Sequence, residues 1–248
     1  MAALPSTQFT YRSYSNFKLV SGHPDYQPIP NFEDPEGNVK TFQYSKDGRY
    51  LGWASPESVK IIDTESIEIV NEIPKKNVVE IGFSPKGRYI STWERSVKLA
   101  DNSVHANLVV WEVATGKELI SFTQKSQTNW NVQWTEDESF FSRLVTGEIQ
   151  FYESKSPEKG VHGRLKIEGI GDFSLSPGKS PSVAVFIPEK NAAPAAVRIY
   201  SITNFNFPLS SKVFYKADKI QMKWNNLGTN LLVLTQTDVD KTNKSYYG

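Results

Sequence analysis

The chain has 248 residues, 38% of them hydrophobic, with 28 Lys and Arg against 27 Asp and Glu. That length supports a sizeable core, and the near-balanced charge excludes a global field for polyanions or membrane surfaces, so such a partner would need a local patch. The absence of cysteine excludes disulfides and thiol chemistry, and no apolar run approaches the ~18 residues that span a bilayer.

The N-terminus, MAALPSTQFTYRSYS, lacks the basic-then-apolar pattern of a secretory signal. With the missing cysteines it leads to the expectation of a cytoplasmic protein. Residues 1–30 are expected to supply an N-terminal segment with the first strand or strands, and 31–248 the body of the fold. That body opens with TFQYSKDGRYLGW (41–53), followed by the strand-like VKIID (59–63). EIGFSPKGRYISTW (80–93) repeats the first phrase: an alternating apolar run, a turn closing on Gly-Arg-Tyr, and a second apolar run ending in Trp. VWEVATGKELISF (110–122) reads as a hairpin turning at Thr115-Gly116. Its Trp111-Glu112 stands where WD repeats often carry their Trp-Asp pair. Weaker copies of the phrase follow as NVQWTEDESFFSRL (131–144), DFSLSPGKSPSVAVF (172–186) and QMKWNNLGTNLLVL (221–234), with EIQFYE (148–153) and AVRIYSI (196–202) between them.

Aligned on the first turn residue (Ser45, Ser84, Thr135, Ser176, Asn225), the phrases share a large apolar residue just before it: Tyr44, Phe83, Trp134, Leu175 and Trp224. Two positions earlier stand Phe42, Ile81, Val132, Phe173 and Met222. A period of two puts both positions on one face of a strand. The turns recur at intervals of about 39, 51, 41 and 49 residues. Several short strands per repeat with matching turns predict an all-β, WD40-like β-propeller of about five blades that ends mid-blade. Loops around 94–106 and 154–164 are expected at the rims.

Candidate chemistry is sparse. Gly178-Lys179-Ser180 ends like a phosphate-binding loop, but the first glycine it needs falls at Phe173 and no helix pattern follows. Asp238 to Asn243 hints at a calcium loop yet lacks its glycine and its closing glutamate. His23, His105 and His162 are scattered, without metal-ligand spacing. No catalytic constellation, cofactor site or metal site is read from the residues, and the expectation is a protein that is not an enzyme. Lys212, Lys216, Lys219 and Lys223 fall together in SKVFYKADKIQMKW with one acid, Asp218. They form a candidate phosphate-contacting patch. The alternative is a solvated strand face, since Lys219 and Lys223 alternate with Ile220, Met222 and Trp224.

Several phrases are more specific than a propeller requires. NWNVQWTEDES (129–139), GIGDFSLSPG (169–178), VAVFIPEKNAAPAAVRIY (183–200), FYKADKIQMKWN (214–225) and TDVDKTNKSYYG (237–248) resemble, in order and spacing, the family of eukaryotic translation initiation factor 2A. The resemblance runs from about residue 38 to the last residue. It implies a nine-bladed propeller at the start of a longer chain, followed by a helical and extended region. It further implies binding of the small (40S) ribosomal subunit and GTP-independent delivery of initiator methionyl-tRNA. Messenger RNA and other initiation factors are the other partners it implies, and no membrane. The b subunit of initiation factor 3 is similar in architecture but matches these phrases less well. No residue-level site is carried over from the family. In the family SYYG leads into further blades, so the chain is expected to be an incomplete ring, marginal or self-associating in isolation. A closed five-bladed ring is the structural alternative, and a generic propeller scaffold for protein partners is the functional one.

Overall fold

The computed structural model describes residues 7–13, 16–35, 37–100, 102–191, 193–215 and 217–237. Lys216, the calcium-loop-like Asp238–Asn243 segment and the SYYG phrase at 245–248 lie outside the described residues. The chain divides into two compact units, Met1–Trp130 and Asn131–Gly248.

The first unit begins with an antiparallel hairpin of β1 (Gln8–Arg12) and β2 (Phe17–Ser21). Two four-stranded sheets follow. One runs β3 (Thr41–Tyr44), β4 (Tyr50–Ala54), β5 (Val59–Asp63) and β6 (Ile69–Ile73); the other runs β7 (Val78–Phe83), β8 (Tyr89–Glu94), β9 (Leu108–Glu112) and β10 (Glu118–Phe122). Every strand pairs with its neighbours in sequence, giving up-and-down meanders. Ile61 and Ile73 of the first sheet interlock with Val78, Ile81, Ile90 and Val109 of the second. Leu51, Trp53 and Ile62, on the opposite face of the first sheet, pack on Phe17 and Leu19. A central strand is therefore buried on both faces, which is why β4 reads Leu-Gly-Trp-Ala without polar alternation. Gly52 belongs to this packing: a Cβ there would lie 3.0 Å from Cζ of Phe83.

The second unit repeats the plan. Its first sheet is β11 (Gln133–Trp134), β12 (Phe140–Val145), β13 (Glu148–Glu153) and β14 (Gly163–Lys166). Its second is β15 (Asp172–Leu175), β16 (Ser182–Ile187), β17 (Ala195–Ser201) and β18 (Ser210–Phe214), and a hairpin of β19 (Lys219–Trp224) and β20 (Leu231–Gln236) completes it. Ile149, Phe151 and Leu165 pack on Phe173, Val183 and Val185. Ala184, Phe186 and Val197, on the other face, pack on Ile220, Met222 and Trp224. A single turn of 3₁₀ helix, Pro157–Lys159, sits in the β13–β14 connection.

The five recurrent phrases are the hairpins β3/β4, β7/β8, β11/β12, β15/β16 and β19/β20, and one hydrogen-bond device closes them all. The side-chain oxygen of the first turn residue accepts the amide of the residue that re-enters the sheet. The pairs are Ser45 with Tyr50 (2.9 Å), Ser84 with Tyr89 (3.0 Å), Thr135 with Phe140 (3.1 Å), Ser176 with Ser182 (2.7 Å) and Asn225 with Asn230 (2.9 Å). Short polar side chains that bond nearby backbone are the turn residues expected on physical grounds. The fourth residue of the turn then adopts a left-handed conformation, at Gly48, Gly87 and Gly228. Glu138 occupies that place in the third hairpin, with φ 61°.

At the ends of the third strands, acidic residues hold the next turn. Asp63 Oδ1 accepts the amides of Glu65 and Ser66 at 3.0 and 3.1 Å, and Glu112 Oε2 accepts the Thr115 hydroxyl at 2.6 Å. Trp111 points inward and its Nε1 donates to Thr92 Oγ1 at 2.9 Å.

Candidate functional site

The described candidate lysines, Lys212, Lys219 and Lys223, fall on different surfaces of the second unit. Lys219 and Lys223 project from one face of β19, while Ile220, Met222 and Trp224 on the other face pack into the core with Ala184, Phe186 and Val197. Strand periodicity sets this: positions i and i+4 share a face and stand about 13 Å apart. Their cross-strand neighbours on β20 are Gln236 and Leu232, with Leu234 opposite Gln221 between them. Leu232 and Leu234 are exposed, so the two ammonium groups flank an apolar strip. Lys212 lies on β18 opposite Val197, whose face is the one turned toward the β19–β20 hairpin. Lys219 and Lys223 point away from that contact. The structure thus brings Lys219 and Lys223 together and leaves Lys212 on another face. No ion pair among the described residues engages Lys212 or Lys223.

The glycine of the Ser176–Ser180 turn serves packing. A Cβ on Gly178 would lie 2.4 Å from the carbonyl oxygen of Leu227, and one on Gly228 would lie 1.9 Å from that of Pro177. The β15–β16 and β19–β20 turns therefore interdigitate backbone to backbone, and both need glycine to do so.

An aromatic slot of about 400 Å³ opens in the same unit, lined by Phe140, Phe151, His162 and Phe205 together with Gly163 and Thr203. Phe151 and Phe205 stack at 5.1 Å between centroids, and Phe140 meets the His162 ring at 5.0 Å. Gly163 makes room for this stack, since a Cβ there would lie 3.2 Å from Phe205. His162 Nδ1 is 3.0 Å from Glu153 Oε1, which fixes the ring and leaves Nε2 as its remaining polar atom. Flat walls with one imidazole and one hydroxyl suit a planar ring with polar edges. Sequence reading passes over this slot: its residues come from three strand ends and a loop, and no motif joins them.

In the first unit, Glu94 receives Lys75 Nζ at 2.7 Å and His105 Nε2 at 3.1 Å. This cluster ties His105 to β8. Among the described residues, no group of three His, Cys, Asp or Glu is arranged to hold a metal ion, and no helix is long and apolar enough to cross a membrane.

Comparisons with known proteins agree with this geometry. A family model described as "Eukaryotic translation initiation factor eIF2A" matches residues 212–248. The eukaryotic translation initiation factor 2A of Schizosaccharomyces pombe is 52% identical over 98% of this chain, which spans 42% of that protein's length. A solved structure described as a crystal structure of the eukaryotic initiation factor is similar with a TM-score of 0.89 and 50% identity, covering 95% of this chain and 58% of that one. The β-propeller domain of Myceliophteria_thermophila Cps50 (Swd1) is similar with a TM-score of 0.54 at 14% identity, covering 84% of this chain and 65% of that one. That last likeness concerns fold alone, and the fold is a β-propeller.

Proposed function

We propose, from the premise that this chain belongs to the eukaryotic translation initiation factor 2A family, that it acts in translation initiation in the cytoplasm by contacting RNA of the small ribosomal subunit and initiator tRNA. The observation that carries the reading is 52% identity maintained over 98% of the chain to a protein of that name. Sites in the second unit fit such a role. Lys219 and Lys223 each reach one phosphate, and the strip of Leu232 and Leu234 between them gives ribose and base edges an apolar surface. The slot of Phe151, Phe205 and His162 accepts an unstacked base, the usual way single-stranded RNA is held. No step in this reading uses a nucleotide triphosphate. Messenger RNA and other initiation factors are further partners under the same reading.

A second reading, a scaffold for protein partners, is favoured by the exposed Phe207, Leu209, Val213 and Tyr215 along and beside β18. Among the described residues β18 pairs only with β17, and an outer strand flanked by apolar side chains can accept a protein segment.

Co-sedimentation with purified small ribosomal subunits, and filter binding of initiator methionyl-tRNA across a salt series, separate the two. The expected result is association at low salt that falls steeply as salt rises, since phosphate contacts release counterions. No association at low salt, with the S. pombe factor binding in parallel, would discard the RNA reading for this chain.

A further inference from the structure

A groove of about 810 Å³ opens in the first unit, walled by residues of β4, β5 and β6 and by residues 31–35 and Gly37. Trp53 lines it, is 3% exposed, and has a buried indole Nε1 with no hydrogen-bond partner. The other two buried tryptophans of this unit are satisfied: Trp93 donates to the Gln124 carbonyl and Trp111 to Thr92, each at 2.9 Å. A buried donor without an acceptor is costly, so the Trp53 indole marks a place where an acceptor is missing.

The groove's charge is lopsided. Glu33, Asp34, Glu57 and Glu72 line it against one cation, Lys60. Asp34, Glu57 and Glu72 pair with Lys18, Lys76 and Lys60, but those side chains are a third or more exposed, and such surface pairs exchange partners at little cost. Glu33 has no ion-pair partner among the described residues. Aromatic and apolar surface lies beside the carboxylates: Phe32 meets Trp53 edge-on at 5.9 Å, and Ile69 is 59% exposed.

We infer that this groove docks an extended peptide segment of a protein partner that carries Lys or Arg between apolar residues. Trp53 Nε1 is solvent-buried, so seating the segment shifts the Trp53 ring toward the groove, where a main-chain carbonyl of the segment accepts its N–H. A cationic side chain sits between Glu33 and the aromatic pair Phe32–Trp53, combining ion pairing with attraction to the ring faces. An apolar side chain covers Ile69. The acidic rim repels a phosphate backbone, so the site is distinct in partner class from Lys219 and Lys223 and does not rest on the RNA reading.

The test uses the 248-residue chain and a fluorescein-labelled heptapeptide of sequence AKLRLKA, followed by anisotropy at low salt. Saturable binding is expected, weakened about tenfold by the surface reversal Glu33→Lys with Asp34→Lys, and absent for the acidic counterpart AELDLEA. On peptide addition the Trp53 indole N–H resonance should shift while those of Trp93 and Trp111 stay in place, a readout that needs no core substitution. The inference is overturned by any of four results: no saturable binding up to about 1 mM peptide, equal binding by the reversed variant, an unmoved Trp53 resonance, or displacement of the peptide by a twelve-residue oligouridine that binds the groove itself.

Discussion

The Thr135 hydroxyl donates to Oδ1 of Asp137 at 2.7 Å, and Thr135 Oγ1 in turn accepts the amide of Phe140 at 3.1 Å. Ser45 and Asp47 make the equivalent bond at 2.6 Å in the β3/β4 hairpin. One hydroxyl thus links the carboxylate that shapes the turn to the strand that leaves it, and the arrangement is local enough to be written within six consecutive residues.

Thr135→Val, which keeps the shape and removes the hydroxyl, should therefore cost about 1–2 kcal/mol. Thr135→Ser should cost much less, because the oxygen stays. Urea unfolding of the two variants checks this; equal losses would show that the methyl group, and not the hydrogen bonds, matters at this site.

Acid should weaken the same turn. Burial pushes the Asp137 carboxyl up, but hydrogen bonds from the hydroxyls of Ser139 and Thr135 and from the Ser139 amide outweigh it and hold the pKa at about 2. A folded-state value below the ordinary 3.8 means the contribution is present above that pH and is lost as pH falls toward 2. Asp137→Asn should flatten this part of the stability–pH curve, by a small amount because the carboxylate is largely solvated. Asp172 carries the opposite sign: burial raises its pKa, partly offset by the Phe173 amide. Its stabilising contribution exists at low pH and disappears as pH rises through the raised value, so Asp172→Asn should raise the melting temperature at neutral pH and change little in acid. A melting temperature lowered at pH 7 would contradict this.

Glu138 sits with φ 61° where Gly48 and Gly87 occupy the equivalent turn positions. A left-handed backbone costs a non-glycine residue about 1 kcal/mol or more. Glu138→Gly should therefore stabilise the protein by roughly that amount, a rise of a few degrees in melting temperature. A fall instead would show that the remaining contacts of the Glu138 side chain outweigh the backbone strain.

Gly87 and Gly48 separate backbone strain from crowding. Both have positive φ, but a Cβ on Gly87 would lie 2.8 Å from Cδ2 of Tyr50, while one on Gly48 meets nothing within 4 Å. Gly48→Ala should cost about 1 kcal/mol, and Gly87→Ala should cost that plus about 1–3 kcal/mol for displacing Tyr50. Parallel denaturation of the two variants gives the difference directly, and equal costs would mean that Tyr50 moves aside freely.

The hairpins, their turn residues and the apolar face of each first strand were determined by the sequence itself. Each depends on interactions spanning a handful of residues: a period of two in side-chain direction, and a Ser, Thr or Asn oxygen capturing an amide five or six positions on. Which lysines of 212–223 share a surface was decided only when β18 and β19 joined different sheets. That placement leaves Lys219 and Lys223 on one face and Lys212 on another. Likewise the slot of Phe140, Phe151, His162 and Phe205 and the groove around Trp53 exist only because sheets stack, bringing together residues from separate strands and loops. Alternation along a strand says that a side chain points up or down; it takes the neighbouring sheet to say whether that direction is core, groove or solvent.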